Sequence, residues 1–317
     1  MKEAQPGMNL EVFCRLFGVS RQAWYQYRRS EGQQALEEEI ILQTVRSVRI
    51  GQPKVGVRKL YLHVAEPLLR HGICIGRDAL FDLLRQYGML VRRRKRKTIT
   101  TDSNHPYRKY PNLIKTFIPL KANELWVSDI TYIDTRQGFM YLSLITDAYS
   151  HKIVGYHLGD TLEAHNCILA LQMALAQRTT QYPLIHHSDR GVQYCSHQYT
   201  QLLQKGPWAI NISMTENGDP YENAMAERVN GILKGEFLLP TFETKQQAQD
   251  SVIQSIRTYN EVRLHSSIDM LTPQQAHQKQ GALIKHWKPK KYKTSSPLRG
   301  KYQNNGAASE RTSPTGF

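Results

Sequence analysis

Cysteine is scarce in this chain of 317 residues: Cys14, Cys74, Cys167 and Cys195 stand apart, with no Cys-x-x-Cys pair and no regular framework. That spacing argues against a zinc site and against a disulfide scaffold, and implies reduced, structural thiols. Long apolar runs are also missing. None reaches the ~20 residues that cross a bilayer, and the opening MKEAQPGMNL holds no signal-peptide core, so a cytoplasmic protein without a membrane partner is expected. No fixed-period repeat and no sustained heptad array occurs, which excludes a solenoid and a zipper. Acidic side chains are few: 27 Asp+Glu face 42 Lys+Arg, for a net charge of +15.

The distribution of charge says more than its total. Residues 1–121 carry a net +13, residues 122–280 a net −5 and residues 281–317 a net +7. Basic flanks around an acidic centre suit arms that hold a polyanion and a core that uses its carboxylates for something else. With 40% hydrophobic residues, two or three separate cores can be buried.

Five segments are expected. Residues 1–33 read as a helix from about Leu10 to Phe17, a turn at Gly18 and a helix opened by Ser20 as N-cap. This is the outline of a helix-turn-helix, whose second helix carries Arg21, Gln22, Trp24, Tyr25 and Arg28 toward DNA. Residues 34–90 form a second helical block, with helix, a Gly72-centred turn and helix. Residues 91–121 form a linker whose run Arg92, Arg93, Arg94, Lys95, Arg96 and Lys97 is expected to follow a phosphate backbone. Residues 122–280 change to strands and helices, and residues 281–317, rich in Lys, Ser, Gly and Pro, read as a disordered basic tail.

Within 122–280 the order is three antiparallel strands (WVSDITYI, FMYLSLITDAY, KIVGYHLG), a long helix, a strand (YPLIHHSD), a helix, a strand (AINISMT) and a final helix from Tyr221 to Phe237. This describes an α/β mixed sheet covered by helices. Asp129 falls within the first strand and Asp189 at the carboxyl end of the fourth, where an α/β sheet opens toward its ligand. If those strands are neighbours, both carboxylates share a crevice that the helix bearing Glu227 can flank. Helical periodicity places Met225, Val229, Ile232 and Leu233 on one face of that helix and Glu227 and Lys234 on the opposite one. Three carboxylates at one spot repel unless a cation compensates them, and oxygen ligands suit two Mg2+ or Mn2+ ions in phosphoryl transfer.

The motifs VGVRKLY, SDITYI, HSDRGVQY, GDPYENAMAERVNGILKGE and YNEVRLHSSIDMLTPQQA, in this order over most of the chain, resemble the transposases with an aspartate, aspartate, glutamate triad. In particular they are similar to the downstream-frame product of the IS-three group of insertion sequences, in the retroviral-integrase superfamily. The resemblance implies a ribonuclease-H-like core with Asp129, Asp189 and Glu227 as catalytic metal ligands. It implies that Lys234 touches DNA near the cleaved end, and Arg263 and His265 match a family motif that positions DNA or caps a helix. It further implies metal-dependent cleavage and strand transfer at the inverted-repeat ends of the element, and a bridged or circular first product. The implied partners are double-stranded DNA, both ends and target, further copies of the chain on DNA, and an upstream-frame protein that supplies a zipper.

The family usually has 35 residues between the second aspartate and the glutamate, whereas 37 separate Asp189 from Glu227, which points to a longer loop around GPWAIN. Glu222 competes for the third place, but Asp219 to Glu222 reads as a capping box with Pro220 at the first helical position. Of His186 and His187, one is expected in the core. Asp147 and Asp160 read as turn residues or surface charges. Two other functions share these features: a non-catalytic DNA-binding relic or regulator, and a structure-specific nuclease that cleaves without joining.

Overall fold

In the computed structural model, α1 (Leu10–Leu16) is capped by Asn9, whose side chain accepts from the Glu11 amide, and ends in a turn at Gly18, where φ is +65°. The Ser20 hydroxyl then accepts from the Ala23 amide and opens α2 (Arg21–Gly51). This helix runs unbroken through the boundary expected at residues 33 and 34. Its second half packs Ile41, Leu42 and Val45 against α3 (Val57–Arg70) and α4 (Arg77–Gln86), whose Leu60, Val64, Leu68, Leu80 and Leu84 complete a small helical core. Gly72, at φ +72°, makes the turn that returns the chain between α3 and α4.

The structure describes residues 9–91, 106–205, 210–216 and 223–286. The run from Arg92 to Lys97, the loop residues 206–209, the cap region 217–222 and residues 287–317 lie outside these. The described half of the linker does not trail away. Its Leu113 amide donates to Ser213 Oγ at 2.9 Å and Tyr107 and Tyr110 pack on the core beside it. Residues 281–286 are likewise attached, through Tyr149 to Gly281 O at 3.0 Å and the Asp269 amide to Ile284 O at 2.8 Å.

The catalytic-size segment is a five-stranded sheet in the order β3-β2-β1-β4-β5, with β1 (Leu125–Thr135), β2 (Gly138–Asp147) and β3 (Ile153–Gly159) antiparallel. After α5 (Ala164–Gln177), β4 (Leu184–Ser188) enters parallel to β1, and α6 (Val192–Cys195) and α7 (His197–Lys205) lead to β5 (Ile210–Met214), parallel to β4. This is the mixed-sheet, ribonuclease-H-like arrangement. Side chains alternate along a strand, so Trp126 joins the α5 and α7 side, while Val127 joins Ala226 of α8 (Ala224–Ile232) on the other. That second side also buries Ile133, Leu142 and Leu144 against Val229, Leu233 and the Val252, Ile256 and Tyr259 stripe of α9 (Lys245–Glu261). A short α10 (Pro273–Ala276) follows, with a Thr272/Gln275 capping box.

Close approach of α5 to β3 explains a glycine. A Cβ on Gly155 would stand 2.2 Å from the Ala170 carbonyl oxygen and 2.9 Å from Ala174 Cβ, so the small residues of the two elements permit their contact.

Candidate active site

Parallel pairing sets the first two carboxylates. Val127 of β1 lies opposite His187 of β4, so Asp129, two residues on along β1, and Asp189, just past the end of β4, emerge at the same edge. Asp189 Oδ1 accepts from the Gly191 amide at 3.0 Å, a local turn that fixes the carboxylate as the chain leaves the strand. Burial, and next the charge of Asp189, push the Asp129 carboxyl up to about 7; hydrogen bonds from Asn230 and the Ile130 amide oppose this, and Glu227 adds to it. The two aspartates are therefore electrostatically coupled, as like charges in one crevice must be.

Helix α8 is tied to β1 by three polar side chains at helical spacing. Asn223 Nδ2 donates to Ser128 O at 3.1 Å, Asn230 Nδ2 to Asp129 Oδ2 at 2.7 Å, and Lys234 Nζ to Thr131 Oγ1 at 3.1 Å. Glu227 belongs to this same stripe, one turn before Asn230, and is exposed. This corrects the periodicity reading of the helix. The buried stripe is Ala226, Val229 and Leu233, with Met225 and Ile232 only half-buried, so the Glu227 and Lys234 face lies beside the apolar stripe, Lys234 reaching β1 and Glu227 staying exposed. From Leu233 to Phe237 the helix widens into a π-helical turn, a distortion frequent at functional sites. Its sequence shows no signal of this.

Among the described residues, no group of three or more His, Cys, Asp or Glu side chains is drawn closely enough together to hold a metal ion. The donor chemistry at the site nevertheless fits a hard dication: carboxylate oxygens, one of them held near neutrality by burial and a like charge, with the buried Oδ1 atoms of Asn223 and Asn230 unmatched by a protein donor.

The other expected residues divide. Arg21, Gln22, Tyr25 and Arg28 are exposed on α2, Arg28 standing 3.5 Å from Glu31, whereas Trp24 turns inward against Phe13 with ring centroids 4.9 Å apart. Arg263 is not available to DNA. It is 4% exposed, and its Nε and Nη2 donate to the two oxygens of Glu236 at 2.7 and 2.6 Å, while Nη1 lies 2.9 Å from His265 Nε2. Arg263 and His265 thus brace the π-helical turn rather than contact a ligand. His186 and His187 are both buried, on Tyr199 OH and Ser213 Oγ at 2.9 Å each. Asp147 is neither a turn residue nor a surface charge: it closes β2 and is fully buried, taking the Asn123 amide at 2.6 Å and Ser150 Oγ at 2.7 Å, and burial raises it to about 6. Asp160 is a surface charge 3.1 Å from Lys245. Cys74 is the exposed thiol; the other three are buried. No helix of the described residues is long and apolar enough to cross a membrane.

The ribonuclease-H-like strand order, with two aspartates at the shared end of parallel strands and a glutamate-bearing helix tied to the first of them, fits a polynucleotidyl transferase. Two families described as integrase core domain match residues 119–220 and 209–273. A 31 kDa protein of insertion element IS600 from Shigella sonnei is 34% identical over 266 residues, 82% of this chain and 95% of that protein. The IS629 transposase of Shigella sonnei is 32% identical over 70% of this chain and 73% of that one, and the InsF transposase of IS3A from Escherichia coli K12 is 26% identical over 88% and 97%. The chain belongs to the insertion-sequence transposases of the integrase superfamily. Among solved structures, the HTLV-2 integrase catalytic core domain in complex with magnesium is 18% identical, covering 50% of this chain and 99% of that one at a TM-score of 0.40.

Proposed function

We propose that this transposase cuts DNA at the inverted-repeat ends of its element and joins the freed 3′ end to a second phosphodiester, using Asp129, Asp189 and Glu227. The observation that carries this reading is the pairing of β1 with β4, which gathers the two aspartates, together with the Asn230 bond that holds the glutamate-bearing helix to Asp129. The three carboxylates would hold two Mg2+ or Mn2+ ions, which when bound compensate the charge of the reacting phosphodiester and promote ionisation of the attacking hydroxyl. Asn230 orients the Asp129 carboxylate. Lys234, half-buried and held at Thr131, extends its ammonium along the site edge for a DNA phosphate. Hydrolysis at the element end releases a 3′ hydroxyl, and attack of that hydroxyl on the second diester breaks one P–O bond as it forms another, without a covalent protein intermediate.

DNA is gripped by exposed Arg21 and Arg28 of the first helical pair, acting as a helix-turn-helix, and by the basic run from Arg92 to Lys97. Two ends held together require at least a dimer on DNA, and the upstream-frame protein supplies a further DNA-binding unit. The protein acts in the cytoplasm, on the nucleoid. The test is cleavage and joining of a labelled duplex bearing the flanking inverted repeat, with magnesium or manganese, for wild type and Asp189→Asn. Metal-dependent strand transfer lost in the variant is expected. Tight repeat-specific binding without cutting would establish a regulator, and cutting without joining a nuclease.

A further inference from the structure

On the opposite face of the sheet from the carboxylates, a cavity of about 360 Å³ opens where the chain leaves α5 and turns toward β4. Trp126 lies in its wall, on the side of β1 that faces away from Asp129. The two are three residue steps apart along the strand, or roughly 10 Å, in addition to the thickness of the sheet. Lys121, Lys152, Arg178 and Lys279 stand around the cavity, and no acidic residue among the described ones lines it. This concentration runs against the net −5 of residues 122–280.

Two carboxylates lie behind the wall. Glu124 is 3.9 Å from Lys121, and its Oε2 accepts the Leu120 and Lys121 amides. Asp147 is turned toward the amides of Asn123 and Ser150. Four cations against two carboxylates leave the site net positive. Two of the four cations, Lys121 and Arg178, are also held in place. Lys121 Nζ sits 3.9 Å over the Tyr182 ring, and Lys121 bridges to Gln280. Arg178, 4% exposed, donates through Nη2 to the Tyr182 carbonyl. Preset charges, with the Gln177 and Gln278 amides and the Thr179 hydroxyl beside them, match the oxygens of a phosphate group. The volume is at the lower end of ligand pockets, enough for a phosphate with an attached sugar.

We propose that this cavity is a phosphate-binding site, taking either a backbone phosphate of a DNA segment other than the one at the carboxylates or a free phosphate anion, through Lys121, Lys152, Arg178 and Lys279. The assignment is independent of the catalytic reading, because it concerns the other face of the sheet.

The full chain is melted in chloride and in inorganic phosphate at matched ionic strength, and its binding to a short duplex lacking the inverted repeat is followed across a salt series. The variants are Lys279→Gln, at an exposed side chain, and Lys121→Gln combined with Lys152→Gln. The expected result is a phosphate-specific rise in Tm for the wild type that shrinks by at least half in both variants, while melting in chloride is unchanged in Lys279→Gln. With a backbone phosphate as the source, the salt slope of duplex binding becomes shallower in both variants, by up to about one, the share of a single phosphate. An unchanged slope with the phosphate response lost assigns the site to a free anion. A wild type that melts alike in phosphate and chloride, or a phosphate response that both variants keep, overturns the proposal.

Discussion

The side-chain amide of Asn230 donates to Oδ2 of Asp129 at 2.7 Å, from the middle of α8 to the middle of β1. This bond joins the element that carries Glu227 to the strand that carries the first aspartate, and it favours the ionised form of a carboxyl that burial and the Asp189 charge nevertheless hold up at about 7. Asn230→Ala is expected to raise the magnesium concentration needed for half-maximal cleavage by roughly 10- to 100-fold, the usual cost of removing a group that orients a metal ligand. Binding of a labelled end duplex without metal should hardly change. An unaltered metal requirement would separate Asn230 from the site.

Lys234 reaches Thr131 Oγ1 from the π-helical turn. Replacing it with alanine removes one cation beside the carboxylates, so end binding should weaken and the slope of log affinity against log salt should become shallower by about one. Glu227→Gln should abolish cleavage with affinity nearly intact. Gel-shift titrations at several salt concentrations read both, and normal cutting by the Glu227 variant would falsify its place in the triad.

Arg263 and Glu236 form a two-point ion pair whose arginine side chain is 5% exposed. Arg263→Ala leaves a largely buried carboxylate without its partner, and a loss of about 3–5 kcal/mol is expected. Replacing both residues with methionine should cost clearly less, since no charge is stranded. Urea midpoints of the two variants decide the matter: equal losses would show that packing, not charge, is what the pair supplies.

Gly155 leaves no room for a side chain between β3 and α5. Gly155→Val should destabilise the core by several kcal/mol, because the Ala170 carbonyl and Ala174 are backbone and small-residue contacts that cannot swing aside. A melting temperature within a degree or two of wild type would contradict the close approach.

Buried histidines make the fold sensitive to acid. Burial lowers His186 to about 3 and His151 and His277 to about 4, from an ordinary 6.5. The unfolded chain takes up these protons below pH 6.5 and the folded one does not until about pH 4 or 3, so stability is full above pH 6.5 and falls steadily below it. Asp129 and Asp147, raised to about 7 and about 6, take up their protons in the fold before the unfolded chain does and so work in the opposite direction as pH falls toward 4, offsetting part of the histidine effect. A net loss of several kcal/mol between pH 7.5 and 4.5 is expected, and His186→Gln should flatten the curve. Stability independent of pH over this range would exclude the histidines as the cause.

Strands, helices and their order followed from local signals. Alternation in WVSDITYI, the Ser20 cap and the turns at Gly18 and Gly72 all act within a few residues, and each appears where the sequence puts it. The candidate triad was legible for the same reason, because an aspartate within one strand, an aspartate at the end of another and a helix glutamate sit in motifs with a recognisable order. What the chain could not reveal locally was every contact between elements far apart in sequence. The pairing of β1 with β4 brings Asp129 to Asp189 across 60 positions, and Asn230 reaches Asp129 across 101. Arg263, for which the family motif left DNA positioning and helix capping open, is closed on Glu236 across 27. Helical periodicity fixes which residues share a stripe, but only packing decides which stripe is buried, and here the sheet's own polar edge drew Asn230 and Lys234 inward.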